Sequence, residues 1–137
     1  MCDTLEKQKI SLISNILQGN QRDQQIFKCH GKVDDRGQQW VIDFENEEIA
    51  GELKVGEKEA ILTYKKPYAN TLHFQVSQST HANYSSMYGV MALVIDTKRI
   101  ERRPGKIVLK YDLLQMHFKI GEYTVELIYG EDNNVWK

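Results

Sequence analysis

Residues 107–129 read IVLKYDLLQMHFKIGEYTVELIY, and this stretch decides the fold class. Ile107, Leu109 and Tyr111 alternate with Val108 and Lys110. Leu114, Met116, Phe118 and Ile120 alternate with Gln115, His117 and Lys119, and Tyr123, Val125, Leu127 and Tyr129 form a further row. A period of two sends successive side chains to opposite faces of an extended chain, so these rows describe strands with one packed and one wet face. A turn at Ile120-Gly121-Glu122-Tyr123 makes the last two strands an antiparallel hairpin.

The same period recurs upstream. Ile10, Leu12 and Ile16 share one side; Phe27, Cys29 and Val33 make a second piece; Trp40, Ile42 and Phe44 a third. Ala60, Leu62 and Tyr64 line another strand, followed by Leu72, Phe74 and Val76, while Tyr84, Ser86 and Tyr88 suit one strand face. VMALVI at residues 90–95, bounded by Gly89 and Asp96, reads as the most buried strand of the chain, being continuously apolar but too short for a typical helix. Turn chemistry punctuates the series. Asp34 to Gly37 is a hairpin turn in which Gly37 takes positive φ without a side-chain clash. Gly51 marks a bulge, and Pro67, which cannot donate to a ladder, ends the strand before it.

No segment carries the three- and four-residue apolar spacing of a long helix. The expected fold is all-β and antiparallel, with about eight to ten strands, and closure into a complete or nearly complete barrel would remove the exposed edges of so large a sheet. A two-sheet sandwich is the alternative. With 137 residues, the chain is expected to be a single domain spanning 1–137, with residues 1–8 a flexible lead-in.

Charge and cysteine content narrow the partners. A net charge of -1, from 18 Lys plus Arg against 19 Asp plus Glu, argues against a surface built wholly for nucleic acid or anionic membrane. Two cysteines, Cys2 and Cys29, fall short of a disulfide framework and are expected to be reduced thiols. No apolar run approaches the roughly 20 residues that cross a bilayer, and the N-terminus lacks a signal-length apolar stretch. The expected compartment is the cytoplasm.

Chemical signatures are sparse. The chain has no phosphate-loop, dinucleotide, CxxC, HExxH or GxSxG motif. The histidines, at positions 30, 73, 81 and 117, have no compact ligand spacing, so no metal site or cofactor is expected. Tyrosines offer apolar bodies with one polar handle, and Tyr84 and Tyr111 are the expected lining of a cavity, should the barrel be hollow. The run KRIERRPGK holds Lys98, Arg99, Arg102, Arg103 and Lys106 against Glu101, a basic surface patch expected to be a solvated hairpin. The acidic run at Glu45 to Glu48 has the opposite sign and could complement it between subunits.

The pattern YSSMYGVMALVIDTKRI, with Tyr84, Tyr88, Gly89 and Thr97, followed by GKIVLKYDL and YTVELIY, resembles the YwiB family of bacterial proteins. The order of CHGKV, EIAGELKV, AILTY and TLHFQV extends the resemblance over nearly the whole chain. Where members carry an arginine and a glycine after the middle strand, this chain has Lys65, Lys66, Pro67 and Tyr68. The resemblance implies a calycin-like, or lipocalin-like, β-barrel of bacterial origin, and no reaction. By analogy with such barrels, the first expectation is binding of a small apolar or amphipathic molecule in a cavity. The second is a protein-interaction or structural barrel with a filled core, with a homodimer or protein partner. An enzyme of unknown class is the third, and fold analogy alone cannot choose among them.

Overall fold

The computed structural model describes residues 6–130. Cys2 and most of the expected lead-in lie outside them. The described residues form eleven strands: β1 (Gln8–Gln18), β2 (Gln21–Gly31), β3 (Val33–Asp35), β4 (Trp40–Glu45), β5 (Ala50–Val55) and β6 (Glu59–Lys66). They continue with β7 (Asn70–Gln75), β8 (Ser79–Ser86), β9 (Gly89–Arg103), β10 (Lys106–Gln115) and β11 (Phe118–Tyr129). All pairings are antiparallel, in the order β7-β6-β5-β4-β2-β1-β11-β10-β9-β8, with β3 also paired to β4.

The expectation of a closed or nearly closed, calycin- or lipocalin-like barrel is corrected here: no ladder joins β7 to β8, and the sheet is open. The two strands are consecutive, but side chains occupy the space where backbones would pair. Asn70 Nδ2 donates to Ser85 O at 3.0 Å, Ser85 N donates back to Asn70 Oδ1 at 2.7 Å, and the Thr80 hydroxyl donates to His73 O. A side chain inserted between two strands satisfies their polar groups while holding the backbones beyond ladder distance.

The sheet is thin at a second place. β2 is paired along its full length to β1, yet meets β4 at one position, His30 opposite Glu45. Gly31 explains the change of direction. A Cβ there would stand 1.8 Å from Asp43 O, so only glycine lets the chain turn under β4 and continue as β3, held by Lys32 N donating to Asp43 Oδ1 at 2.8 Å and Asp43 N to Lys32 O at 3.0 Å.

Between these two seams the molecule divides into a short half, β4 to β7, and a long half, β2-β1-β11-β10-β9-β8. The inward rows of both halves form one core that includes Phe44, Phe74, Ile10, Leu12, Leu62 and Leu109, all essentially sealed from water. The hairpin expected at residues 34–37 is present but shifted, since Asp34 and Asp35 pair within β3 and the turn runs over residues 36–39, with Gly37 at φ 82° and Gly37 N donating to Asp35 Oδ1. The irregularity at Gly51, where the β5–β6 register shifts, is as expected.

Two readings of the sequence are corrected. The last hairpin turns at Met116 and His117, with φ 50° and 71°, and not at residues 120–123. Leu114, Met116, Phe118 and Ile120 therefore form no core row: Met116 is 82% exposed and Phe118 76%. The VMALVI strand buries Leu93 and Ile95, but Val90 is 72% exposed, because this part of β9 overhangs the short half.

Candidate functional site

The long half outreaches the short one, and the overhang creates the site. Along β1 the inward residues pass from Ile10 and Leu12, both buried, to Ser14 and Ile16, half-buried, and then to Gln18, exposed. The β1–β2, β8–β9 and β10–β11 turns lie together at this end, as the antiparallel registers require. Between the overhang and the short half lies an open groove of about 560 Å³. Its lining includes Phe27, Ile49, Tyr64, Leu72, Leu93 and Ile120.

Tyrosines gather along the groove. Tyr111 is 5% exposed and stacks on Tyr123 at 5.4 Å between ring centroids, with 11° between planes; its other side meets Phe74 at 4.7 Å. Burial pushes the phenols of Tyr111 and Tyr64 upward, and neighbouring tyrosines, Tyr84 among them, push the same way. Tyr123 is also raised by burial, with a hydrogen bond to Gln18 acting against the shift. The structure thus brings Tyr84 and Tyr111 together, Tyr111 at the floor and Tyr84 at the mouth, and adds Tyr64 and Tyr123. Asn70 also lines the groove; its position between β7 and β8 was not readable from strand periodicity.

The enclosed cavity expected for a small apolar or amphipathic ligand is not found, because the sheet that would have surrounded it is open. The filled-core barrel falls with the same observation. What the overhang offers instead is apolar surface. Met87 is 73% exposed, Tyr88 89%, Val90 72%, Met116 82% and Phe118 76%. They sit on the β8–β9 and β10–β11 hairpin ends, with Met91 and Tyr84 behind them toward the groove. The sequence signal for this surface was the placing of Met87-Tyr88 and Met116-His117 in two-residue turns, where polar residues and glycine are usual.

The basic run occupies the opposite end, around the β9–β10 turn, and much of its charge is engaged. Lys98 contacts Asp96 at 3.2 Å and Asp112 at 3.6 Å, which together raise its pKa. Arg99 pairs with Glu101 and Lys106 with Glu126. Arg102 donates to the carbonyl oxygens of Gly37, Gln38 and Val55 and lies 4.8 Å from the centre of the Trp40 ring. That set of contacts fastens the β3–β4 turn to the long half. Arg103 precedes the turn on the exposed surface.

Among the described residues no three His, Cys, Asp or Glu side chains converge as metal ligands, and no helix is long and apolar enough to cross a membrane. Cys29 is a free, buried thiol whose pKa burial pushes up to about 11.

Comparison with known proteins agrees with the topology. No curated protein matches the chain. The crystal structure of the ywiB protein from Bacillus subtilis is similar over 90% of this chain and 93% of that one, with a TM-score of 0.69 and 20% sequence identity. A family model described as a domain of unknown function, DUF1934, matches residues 10–127. The chain therefore belongs to the DUF1934 family, the bacterial YwiB-like proteins whose activity is uncharacterised.

Proposed function

We propose that this protein is an interaction module and that the overhanging end of its long half docks a second copy of the same chain. The observation that carries the reading is the exposure of Met87, Tyr88, Val90, Met116 and Phe118 at neighbouring hairpin ends. Such residues lose hydration penalties when covered, and aromatic and methionine side chains are enriched in protein interfaces. The two aromatic members of the patch, Tyr88 and Phe118, each bury about 150–250 Å² when fully covered. Tyr84 at the groove mouth would then touch the partner, while Tyr111 keeps the floor rigid.

Sedimentation over a range of concentrations tests this. The expected result is a monomer–dimer equilibrium that a Met116→Ser, Phe118→Ser double variant weakens at least tenfold with an unchanged strand circular dichroism signal. A wild-type chain that stays monomeric at every concentration overturns the reading.

A further inference from the structure

Methionine is distributed unevenly over the molecule. The described residues contain Met87, Met91 and Met116, and all three lie at the overhanging end with exposed side chains, whereas the buried core among the described residues holds no methionine. Thioethers commonly fill irregular gaps inside a core; here they stand outside it. Two of them occupy turns. Met87 and Tyr88 join β8 to β9 between the paired residues Ser86 and Gly89, and Met116 and His117 join β10 to β11, both with positive φ. Such places favour asparagine, aspartate and glycine. Met116 therefore sits against the local backbone preference, and its exposure means that its own chain gains no packing from it. The two turns are neighbours. Leu114 pairs with Val94, which sets the β10–β11 turn alongside β9, on the order of 10–15 Å short of the β8–β9 tip.

We infer that Met87 and Met116 are an oxidation site, and that their conversion to sulfoxides by a peroxide releases the docked copy. The inference rests on the proposed self-association and adds its regulation. With hydrogen peroxide, a lone pair of the thioether sulfur attacks one peroxide oxygen; the O–O bond breaks as the S–O bond forms. Sulfur is oxidised by two electrons, and the leaving hydroxide takes the proton carried by the transferred oxygen and departs as water. The product replaces a flexible apolar side chain with a polar one, and covering that group against an apolar partner costs the hydrogen bonds it makes to water. Docking covers both sulfurs, so the peroxide reaches the free copy, and the sulfoxide then keeps that copy free. The fold is spared, because no methionine of the described residues supports the core and the Cys29 thiol is buried.

Peroxide titration tests the site in a Cys2→Ser background, with peptide mass spectrometry to locate the sulfoxides and sedimentation to read the dimer. Met87 and Met116 should oxidise, more slowly at protein concentrations where the dimer prevails. The oxidised chain should dimerise roughly tenfold or more weakly, with unchanged strand circular dichroism and urea midpoint. Methionine sulfoxide reductases for both epimers should restore the dimer. A Met87→Leu, Met116→Leu variant retains the volume and apolar character of the patch; it should dimerise like the parent and ignore peroxide, although Met1 and Met91 remain oxidisable. Met87→Gln, Met116→Gln, with polar side chains in place of the thioethers, should weaken the dimer without any oxidant. A dimer that survives sulfoxide formation at both positions, or a leucine variant that peroxide still dissociates, overturns this inference and leaves the apolar-end reading standing. A wild-type chain that never dimerises overturns both.

Discussion

Asn70 and Ser85 exchange two hydrogen bonds, side-chain amide to backbone carbonyl at 3.0 Å and backbone amide to side-chain oxygen at 2.7 Å. One asparagine thus serves the margin of β8 as a strand residue would, at a point where no strand pairs. Its side chain is nearly buried, at 6% exposure, so its loss leaves backbone groups without partners. Asn70→Ala should lower stability by about 2–3 kcal/mol in urea unfolding and speed amide exchange at Ser85. Unchanged exchange at Ser85 would show that the seam is held elsewhere.

Gly31 is predicted to be intolerant of any side chain. With Asp43 O only 1.8 Å from the position of a Cβ, Gly31→Ala must displace β4 from the β2–β3 bend. Expected destabilisation is about 3 kcal/mol or more, read as a lowered urea midpoint. Gly37→Ala, in an open turn at φ 82°, should cost about 1 kcal/mol, because strain and not collision is its penalty.

Arg102 ties β9 to the β3–β4 turn through the Gly37 and Gln38 carbonyl oxygens, to the end of β5 through Val55 O, and to the Trp40 ring. Removing it by Arg102→Ala should cost about 1–2 kcal/mol in thermal or urea unfolding. Arg102→Lys should recover less than half of the loss, since an ammonium has no planar face to lay over the Trp40 indole. Full recovery by lysine would reduce the contact to simple charge.

Alkaline pH should destabilise the protein. Burial raises the pKa of Cys29 from 9.0 to about 11 and that of Tyr111 well above 10.0. Above pH 9 the unfolded chain gives up these protons while the folded chain keeps them, so the unfolded state binds fewer protons and stability falls as pH rises. Urea midpoints should be level, as far as these groups are concerned, below pH 8 and decline from pH 9 to 11, and Cys29→Ala should remove part of that decline. In the native state Cys29 should resist thiol reagents until unfolding exposes it. Rapid native labelling would contradict its burial.

Strand periodicity made most of the inward rows legible. Ile42 and Phe44, Ala60 and Leu62, Leu72 and Phe74, Ile107, Leu109 and Tyr111, and Val125 with Leu127 all face the core as alternation requires. Alternation carries no information about closure, however, because an open curled sheet and a barrel have the same rows. The decision lay with Asn70 and Thr80, whose side chains stand between β7 and β8, and a polar residue at an inward position gives no such sign by itself. The exposed end was misread for a related reason. Val90, Met116 and Phe118 are apolar and strand-forming, so periodicity assigned them or their neighbours to packed faces, while the length difference between the two halves left nothing to cover them. Tyr84 and Tyr111 were legible as a pair of aromatic residues, but their neighbours Tyr64 and Tyr123 join them only through the sheet order.

The two seams have a mechanical consequence. A sheet whose ladders are continuous yields everywhere a little; this one is stitched by the Asn70 amide and the Thr80 hydroxyl along one line and by a single bridge along another, so its compliance is concentrated there. A load that pries the halves apart is taken up at those lines, and each ladder on either side keeps its register while the span between them widens or narrows.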